Sequence, residues 1–232
     1  MTSSPDLAAV AALIGDRTRA KILLALLDGG PMAASSLAER AKASAPLASA
    51  HLRKLVAGGL LAVQPHGRQR FYRLSGQAVA DAIEALLLVA PAVPARSYRD
   101  VAENAALRRG RMCHDHIGGR TGVALTRGLL DGRFLDCRGT TLHVTRLGSR
   151  AFGRLEIDVA ELARHRRPLT RACVDWSEQD HHLGGSLGAT IASEFFRRGW
   201  LHTSEASRVV SVSERGREVL VENFQLHTCG RG

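Results

Sequence analysis

Apolar residues recur at helical spacing in several consecutive stretches near the start of the chain. Leu7 to Ile14 reads as a short apolar-faced helix, and Gly15-Asp16-Arg17-Thr18-Arg19 opens a second one, AKILLALLDGG, that stops at Gly29-Gly30. Asp16 suits its N-cap, because a carboxylate there accepts from backbone N–H groups that the first turn leaves free. Ser35 to Ala41 makes a third helix, Ala43-Ser44 a turn, and Ser44 or Ala45 starts a fourth, APLASAHLRKLVAGG, with Pro46 in its first turn where a missing N–H costs nothing. The period then changes. Leu60 to Val63 and Arg70 to Leu74 are two short β-runs around Gln64-Pro65-His66-Gly67-Arg68-Gln69, which reads as a hairpin. From Gly76 to Ala90 helical spacing returns, and Pro91 and Pro94 end it in a linker.

On the fourth helix the pattern predicts Leu47, Leu52, Leu55 and Val56 facing a core, with Ser44, Ala48, Ser49, His51, Arg53 and Lys54 outward. Small polar groups and bases on one face suit a helix lying in the major groove. Small residues permit close approach, and hydroxyl, imidazole and guanidinium groups bond to base edges or phosphates. The hairpin tip adds His66, Arg68 and Arg70, within reach of a neighbouring phosphate or the minor groove.

Beyond Tyr98 the chain repeats itself. Cys113-His-Asp115-His116-Ile-Gly118-Gly119-Arg-Thr-Gly122 answers Cys173-Val-Asp175, six inserted residues, then His182-Leu-Gly184-Gly185-Ser-Leu-Gly188. A 66-residue shift carries Gly118 onto Gly184, Phe134 onto Trp200 and Leu135 onto Leu201; later, Val144-Thr145-Arg-Leu-Gly148 answers Val212-Ser213-Glu-Arg-Gly216. The pattern predicts a duplicated module of helix, β-hairpin and helix, with copies at about 108–155 and 170–224. The fold class expected is mainly α with small β-hairpins. Residues 1–75 form a winged helix-turn-helix domain, 76–97 a helix suited to dimerisation plus a linker, and 98–232 a sensor or structural domain.

Composition sharpens this reading. Aromatic residues are only 4 % of the 232-residue chain against 45 % hydrophobic content, which favours helices over a β-sandwich. The 32 Lys and Arg exceed 22 Asp and Glu, giving a formal charge of +10, and residues 1–75 hold ten of the basic residues against four acidic. Such a balance fits a polyanionic partner, double-stranded DNA above all. No apolar run reaches eighteen residues and MTSSPDL lacks signal-peptide regions, so no membrane partner and a cytoplasmic location are expected. Four cysteines without a Cys-x-x-Cys pair imply reduced thiols or ligands rather than a disulfide framework, with Cys137 incidental and Cys229 a tail thiol.

Four segments together resemble the ArsR/SmtB-type winged-helix repressors over about the first ninety residues. They are Gly15 to Leu23, Ser49-Ala50-His51-Leu52-Arg53-Lys54-Leu55, Gly58-Gly59-Leu60-Leu61, and Gly67 to Leu74. The resemblance implies a homodimer on a near-palindromic operator that leaves DNA when an effector binds. The family's best-known metal sensors carry a cysteine motif in the helix before the reading helix, and here Met32 to Glu39 contains none.

Candidate effector chemistry lies instead in the duplicated unit, at Cys113, Asp115, His116, Cys173, Asp175, His181 and His182. Thiolate, imidazole and carboxylate suit a divalent transition metal such as zinc. The alternatives are a thiol switch, an organic effector, or a structural role with each Asp as a helix cap. The arrangement of two copies predicts that Cys113, His116, Cys173 and His182 converge across a pseudo-twofold axis. The glycine pattern lacks the Lys-Ser/Thr of a phosphate-binding P-loop and is read as having no strand before it. Two further function classes remain: an enzyme built on Asp115 and His116, short of a full catalytic set, and a non-specific architectural nucleic-acid-binding protein. The expectation is a regulator and not an enzyme.

Overall fold

The computed structural model describes residues 4–27, 30–67, 69–95, 97–203 and 208–224, so Arg68 and Cys229 lie outside the described residues. The chain divides into two compact units, Met1–Ile83 and Glu84–Gly232, and the division falls inside a helix, α5 (Gln77–Val89).

The first unit runs α1 (Leu7–Ile14), α2 (Arg17–Ala25), β1 (Met32–Ala33), α3 (Ala34–Ala41), α4 (Ala45–Ala57), β2 (Leu61–His66), β3 (Gln69–Leu74) and the start of α5. Asp16 caps α2, its carboxylate accepting from Thr18 N at 3.0 Å and Arg19 N at 2.9 Å. Pro46 sits at the start of α4, where φ is already helical and no donor is lost. Ile22, Leu26, Leu37, Leu52, Leu55 and Leu61 are among the side chains that close the core. The wing strands reach further than the hairpin read from sequence, pairing His66 with Gln69. Pro65 fits within β2 because the sheet order β1-β3-β2 makes β2 an edge. The short strand β1, with Met32 opposite Tyr72, went unforeseen. Two residues carry no readable period.

The phase of α4 departs from expectation at Leu47, Ala48 and His51, the last turned toward Arg19 and Asp16 with its side chain only 12 % exposed. Ala48 is 1 % exposed and belongs to the core, whereas Leu47 is 46 % exposed. A methyl lets the neighbouring helices approach closely where a leucine does not fit. Ala48 is therefore removed from the outward face, while Ser44, Ser49, Arg53 and Lys54 remain on it.

In the second unit the end of α5 is followed by α6 (Tyr98–Arg109), capped by Ser97, whose Oγ accepts from Asp100 N at 3.1 Å. The first copy follows as β4 (Arg111–Cys113), β5 (His116–Gly118), α7 (Gly119–Asp131), β6 (Leu135–Arg138), β7 (Thr141–Val144) and α8 (Arg146–Gly153). After α9 (Val159–Leu162) the second copy repeats the order as β8 (Arg171–Val174), β9 (His181–Gly184), α10 (Gly185–Arg197), β10 (Leu201–Thr203), β11 (Val210–Val212) and α11 (Glu214–Phe224). Each copy is thus helix, hairpin and helix, with a further hairpin in front. The expectation that no strand precedes the glycines is corrected, since β5 and β9 run directly into them. The absent Lys-Ser/Thr still argues against a P-loop.

The glycine spacing has a physical cause. Gly119 and Gly185 turn strand into helix at φ +73° and +83°, a region that side chains rarely enter. One turn on, a Cβ at Gly122 would stand 2.1 Å from the Ile117 carbonyl oxygen, and one at Gly188 2.3 Å from that of Leu183. Bare backbone there lets each helix fold down onto its own hairpin. Each also packs on the hairpin of the other copy, α7 against β9 and α10 against β5. Thr126 Oγ1 on α7 accepts from Leu183 N on β9 at 2.8 Å. One apolar core, including Leu129, Phe152, Leu187 and Phe195, serves both copies.

Candidate metal centre and nucleic-acid interface

In antiparallel strands, residues directly opposite one another put their side chains on the same face. Cys113 lies opposite His116 in the first hairpin, and Cys173 opposite His182 in the second. Each hairpin therefore presents one thiol and one imidazole. The packing of β5 beside β9 brings the two pairs together, and one ligand atom from each of the four residues lies within 4.8 Å of the others. This is the convergence that the duplicated sequence predicts.

Space for the cluster comes from glycine. A Cβ on Gly118 would meet Cys113 Cβ at 3.3 Å and His182 Cε1 at 3.4 Å, and one on Gly184 would meet His116 Nε2 at 3.1 Å. Both imidazoles are almost wholly enclosed, at 1 % exposure. His116 Nδ1 stands 3.2 Å from Asp115 Oδ1. An ionised carboxylate only accepts, so Nδ1 carries a proton, and Nε2 is left as the nitrogen that could bind an ion. His182 Nδ1 stands 3.1 Å from Asp175 Oδ2, off the line of a good hydrogen bond. Neither Nε2 has a hydrogen-bond partner among the described residues. Two enclosed imidazole nitrogens beside two sulfurs form a donor set suited to a metal ion.

The thiols are unequal. The neighbouring Cys113 thiol, together with His116 and His182, holds the pKa of Cys173 far below the ordinary thiol value against the effect of burial. Cys113, bonded to that sulfur and buried, is pushed well above it. Burial alone would depress His116, but Asp115 and the nearby Cys173 sulfur outweigh it and raise its pKa. The pocket already stabilises one thiolate.

The other expected residues take different places. Asp115 and Asp175 offer no oxygen to the cluster; each instead lies against the Nδ1 of one histidine. Asp175 also caps a helix, but that of the other copy, accepting from Gly119 N at 2.6 Å. His181 is removed from the site: it is 51 % exposed, beside Asp180. Successive strand side chains point to opposite faces, so His181 and His182 cannot both face inward.

Two arginines escaped the sequence reading. Arg111 Nη2 donates to Asp175 Oδ2 at 2.9 Å with both side chains at 0 % exposure, and Arg167 Nη2 donates to Asp115 Oδ1 at 3.0 Å. For Arg111 a signal existed, since Arg-x-Cys-x-Asp occurs at 111–115 and again at 171–175. These arginines hold both carboxylates ionised: burial pushes the pKa of Asp115 and Asp175 up, but the histidine and arginine contacts win and leave both well below the carboxylate range. The remaining described thiol, Cys137, is exposed, its Sγ 3.3 Å from the Gly139 carbonyl.

In the first unit, α4 presents Ser44, Ser49, Arg53 and Lys54 to solvent, with Arg53 Nη1 3.5 Å from Ser49 Oγ. His51 is half-buried, 3.4 Å from Arg19 Nη1 and 3.7 Å from Asp16 Oδ1. Arg19 in turn donates to the carbonyls of Leu13 and Ala12, tying α1 to α2 and α4. The wing exposes His66 and Arg70 beside Gly67, whose φ of +60° makes the turn. An outward face of hydroxyls and bases above a packed core is chemically suited to a duplex. No helix among the described residues is long and apolar enough to cross a membrane.

A helix-turn-helix domain model matches residues 14–64 of this chain. The chain is 33 % identical over 214 residues to the uncharacterized HTH-type transcriptional regulator YdfF of Bacillus subtilis (strain 168), covering 92 % of this chain and 95 % of that protein. Among solved structures, the cadmium metal-sensor CMTR from Mycobacterium tuberculosis is 34 % identical, covering 39 % of this chain and 94 % of that chain, with a TM-score of 0.33. The homodimeric winged helix-turn-helix DNA-binding domain (fragment 1–100) Mb0332 from Mycobacterium bovis, a possible ArsR-family regulator, is 28 % identical, covering 38 % and 89 %, with a TM-score of 0.33.

Proposed function

The chain belongs to the family of helix-turn-helix transcriptional regulators that includes YdfF, and from that premise we propose that it is a homodimeric repressor released from a near-palindromic operator by a divalent transition metal, zinc being the type. Ser44 at the start of α4 and Ser49, Arg53 and Lys54 along it enter the major groove, with the half-buried His51 contributing from beside Arg19. His66, Arg68 and Arg70 reach the backbone from the wing. The assignment of 1–75 to reading, 76–97 to dimerisation and linkage, and 98–232 to sensing belongs to this proposal, as do a cytoplasmic site of action and the lack of a catalytic step.

The observation that carries the effector reading is the buried cluster of Cys113, His116, Cys173 and His182. Two thiolates and two imidazoles make a four-coordinate set preferred by zinc-like ions. Metal and operator are then linked reciprocally: if metal weakens operator binding by some factor, operator weakens metal binding by the same factor.

The test uses full-length protein, stripped of metal, with a DNA duplex that it selects from a random pool. About one zinc per chain is expected on reloading, and zinc should weaken duplex binding roughly 5- to 150-fold, the usual range of such couplings. Cys113→Ser should lose the metal and the response while its metal-free DNA affinity stays that of the parent. If Cys113→Ser and Cys173→Ser both respond like the parent, the cysteines are idle and the metal reading is overturned.

A further inference from the structure

Accepting the cluster as a metal site, we propose that the pairs Arg111–Asp175 and Arg167–Asp115 are positioning pairs that make it select a dication over a soft monovalent ion. The pairs cross between the copies of the repeat, and the repeat relates their aspartates but not their arginines, since the counterpart of Arg111 is Arg171. Arg111 of the first copy holds Asp175 of the second, which lies 3.1 Å from His182 Nδ1. Arg167, just ahead of the second copy, holds Asp115 of the first, which lies 3.2 Å from His116 Nδ1. Arginine, aspartate and histidine therefore stand in series twice. In each series the carboxylate lies against Nδ1, which leaves Nε2 as the nitrogen free to serve the two sulfurs' ion.

Charge supplies the selectivity. A metal bound by both cysteines binds them as thiolates, so the donor set carries two negative charges and the neutral imidazoles none. The two aspartates would double that burden. Each is neutralised by its arginine instead, and for Arg111–Asp175 neither side chain is exposed to water. Filled by a dication, the buried assembly is neutral; filled by a monocation, it keeps an uncompensated negative charge, which a dry interior tolerates poorly. Arg111 is fixed in this task by three further contacts, its guanidinium 4.3 Å over the Trp176 ring, 3.1 Å from Ser177 Oγ and 3.4 Å from the Leu107 carbonyl. Its own Asp175 oxygen also takes the Gly119 N–H that starts α7, so the charge pair, the histidine and the helix entry share one carboxylate.

A purely structural ion pair would affect folding but not the choice of ion. The experiment therefore compares zinc with silver(I), a soft monovalent probe, in full-length protein and in Asp175→Asn and Asp115→Asn. Cobalt(II) serves as an optical reporter of thiolate ligation. The parent should bind one cobalt per chain in a four-coordinate, thiolate-containing spectrum that zinc abolishes. Each variant removes one negative charge beside the site, so zinc affinity should fall about 10- to 100-fold, silver affinity should fall much less, and the cobalt band pattern should persist because all four ligands remain. Asp175→Asn should show the larger change, its pair being fully enclosed. Asp115, at the rim, keeps the test decisive should Asp175→Asn fail to fold. Equal losses for both ions, or no loss for either, in the variants that fold would overturn this proposal and leave the metal reading standing. Failure of the parent to take cobalt or zinc would overturn the metal reading itself.

Discussion

The first unit and the second handle polar chemistry in opposite directions. On α4 the bases and hydroxyls stand out in solvent above Leu52 and Leu55, and they share few hydrogen bonds with the rest of the fold. In the second unit the thiols and imidazoles turn inward, and the backbone around them is so close that glycines mark its contacts. A polyanion attracts charge through water over several ångströms, so its approach needs only charge on a roughly correct face. A small ion is met by lone pairs at fixed distance, so the scaffold must be rigid before the donors are useful. Tolerance to change should differ accordingly.

The strongest way to break this comparison is Gly122→Ala. Its new Cβ would fall 2.1 Å from the Ile117 carbonyl, a backbone atom that cannot swing aside. Overpacking of this kind should cost the upper end of about 1–3 kcal/mol, or more. Denaturant unfolding checks it, and parent-like stability would mean that the helix does not press on its hairpin. On the surface of the first unit, Arg53→Ala should leave folding unchanged and weaken selected-duplex binding by about 1–3 kcal/mol if it reads a base, or reduce the salt slope by about 1 if it meets phosphate. Duplex titrations at several salt concentrations separate these, and parent-like binding throughout would take α4 out of the interface.

The smallest effect belongs to Asp16, a cap on the unit whose function is outside. Asp16→Ala should cost about 1 kcal/mol of stability near neutral pH. The backbone N–H of Arg19 is the main cause that lowers the folded pKa of Asp16. The cap's contribution is therefore complete above the unfolded carboxylate value and is lost as pH falls through the folded one. Parent and variant should converge in stability below that range; a constant difference down to acid would assign the effect to something other than the ionised cap.

The two units were also legible in different ways. Helix starts in the first unit declared themselves through Asp16 and Pro46, because capping is local chemistry. The facing of α4 was harder, since APLASAHLRKLVA has small apolar residues all round and only packing decides that Ala48 goes in and Leu47 out. α6 lacks any apolar stripe and left no period to read. In the second unit the self-match foretold the meeting of the two Cys–His pairs, although they are far apart in sequence. It did not reveal that the aspartates stand behind the histidines rather than beside them. That depends on the turn between Cys113 and His116, where His114 takes φ 59°, and on arginines that long-range folding delivers.

The crossed packing of the two copies bears on how the cluster came to be dependable. A lone copy would supply one cysteine and one histidine to the cluster, and its helix would lack the foreign hairpin on which α7 and α10 now rest. To assemble four donors it would have to find another molecule, and the fraction assembled would follow the abundance of the protein in the cell. Joining the copies in a single polypeptide turns that encounter into an internal one at a fixed effective concentration. The donor set is then complete in every chain, whether the cell holds ten molecules or ten thousand.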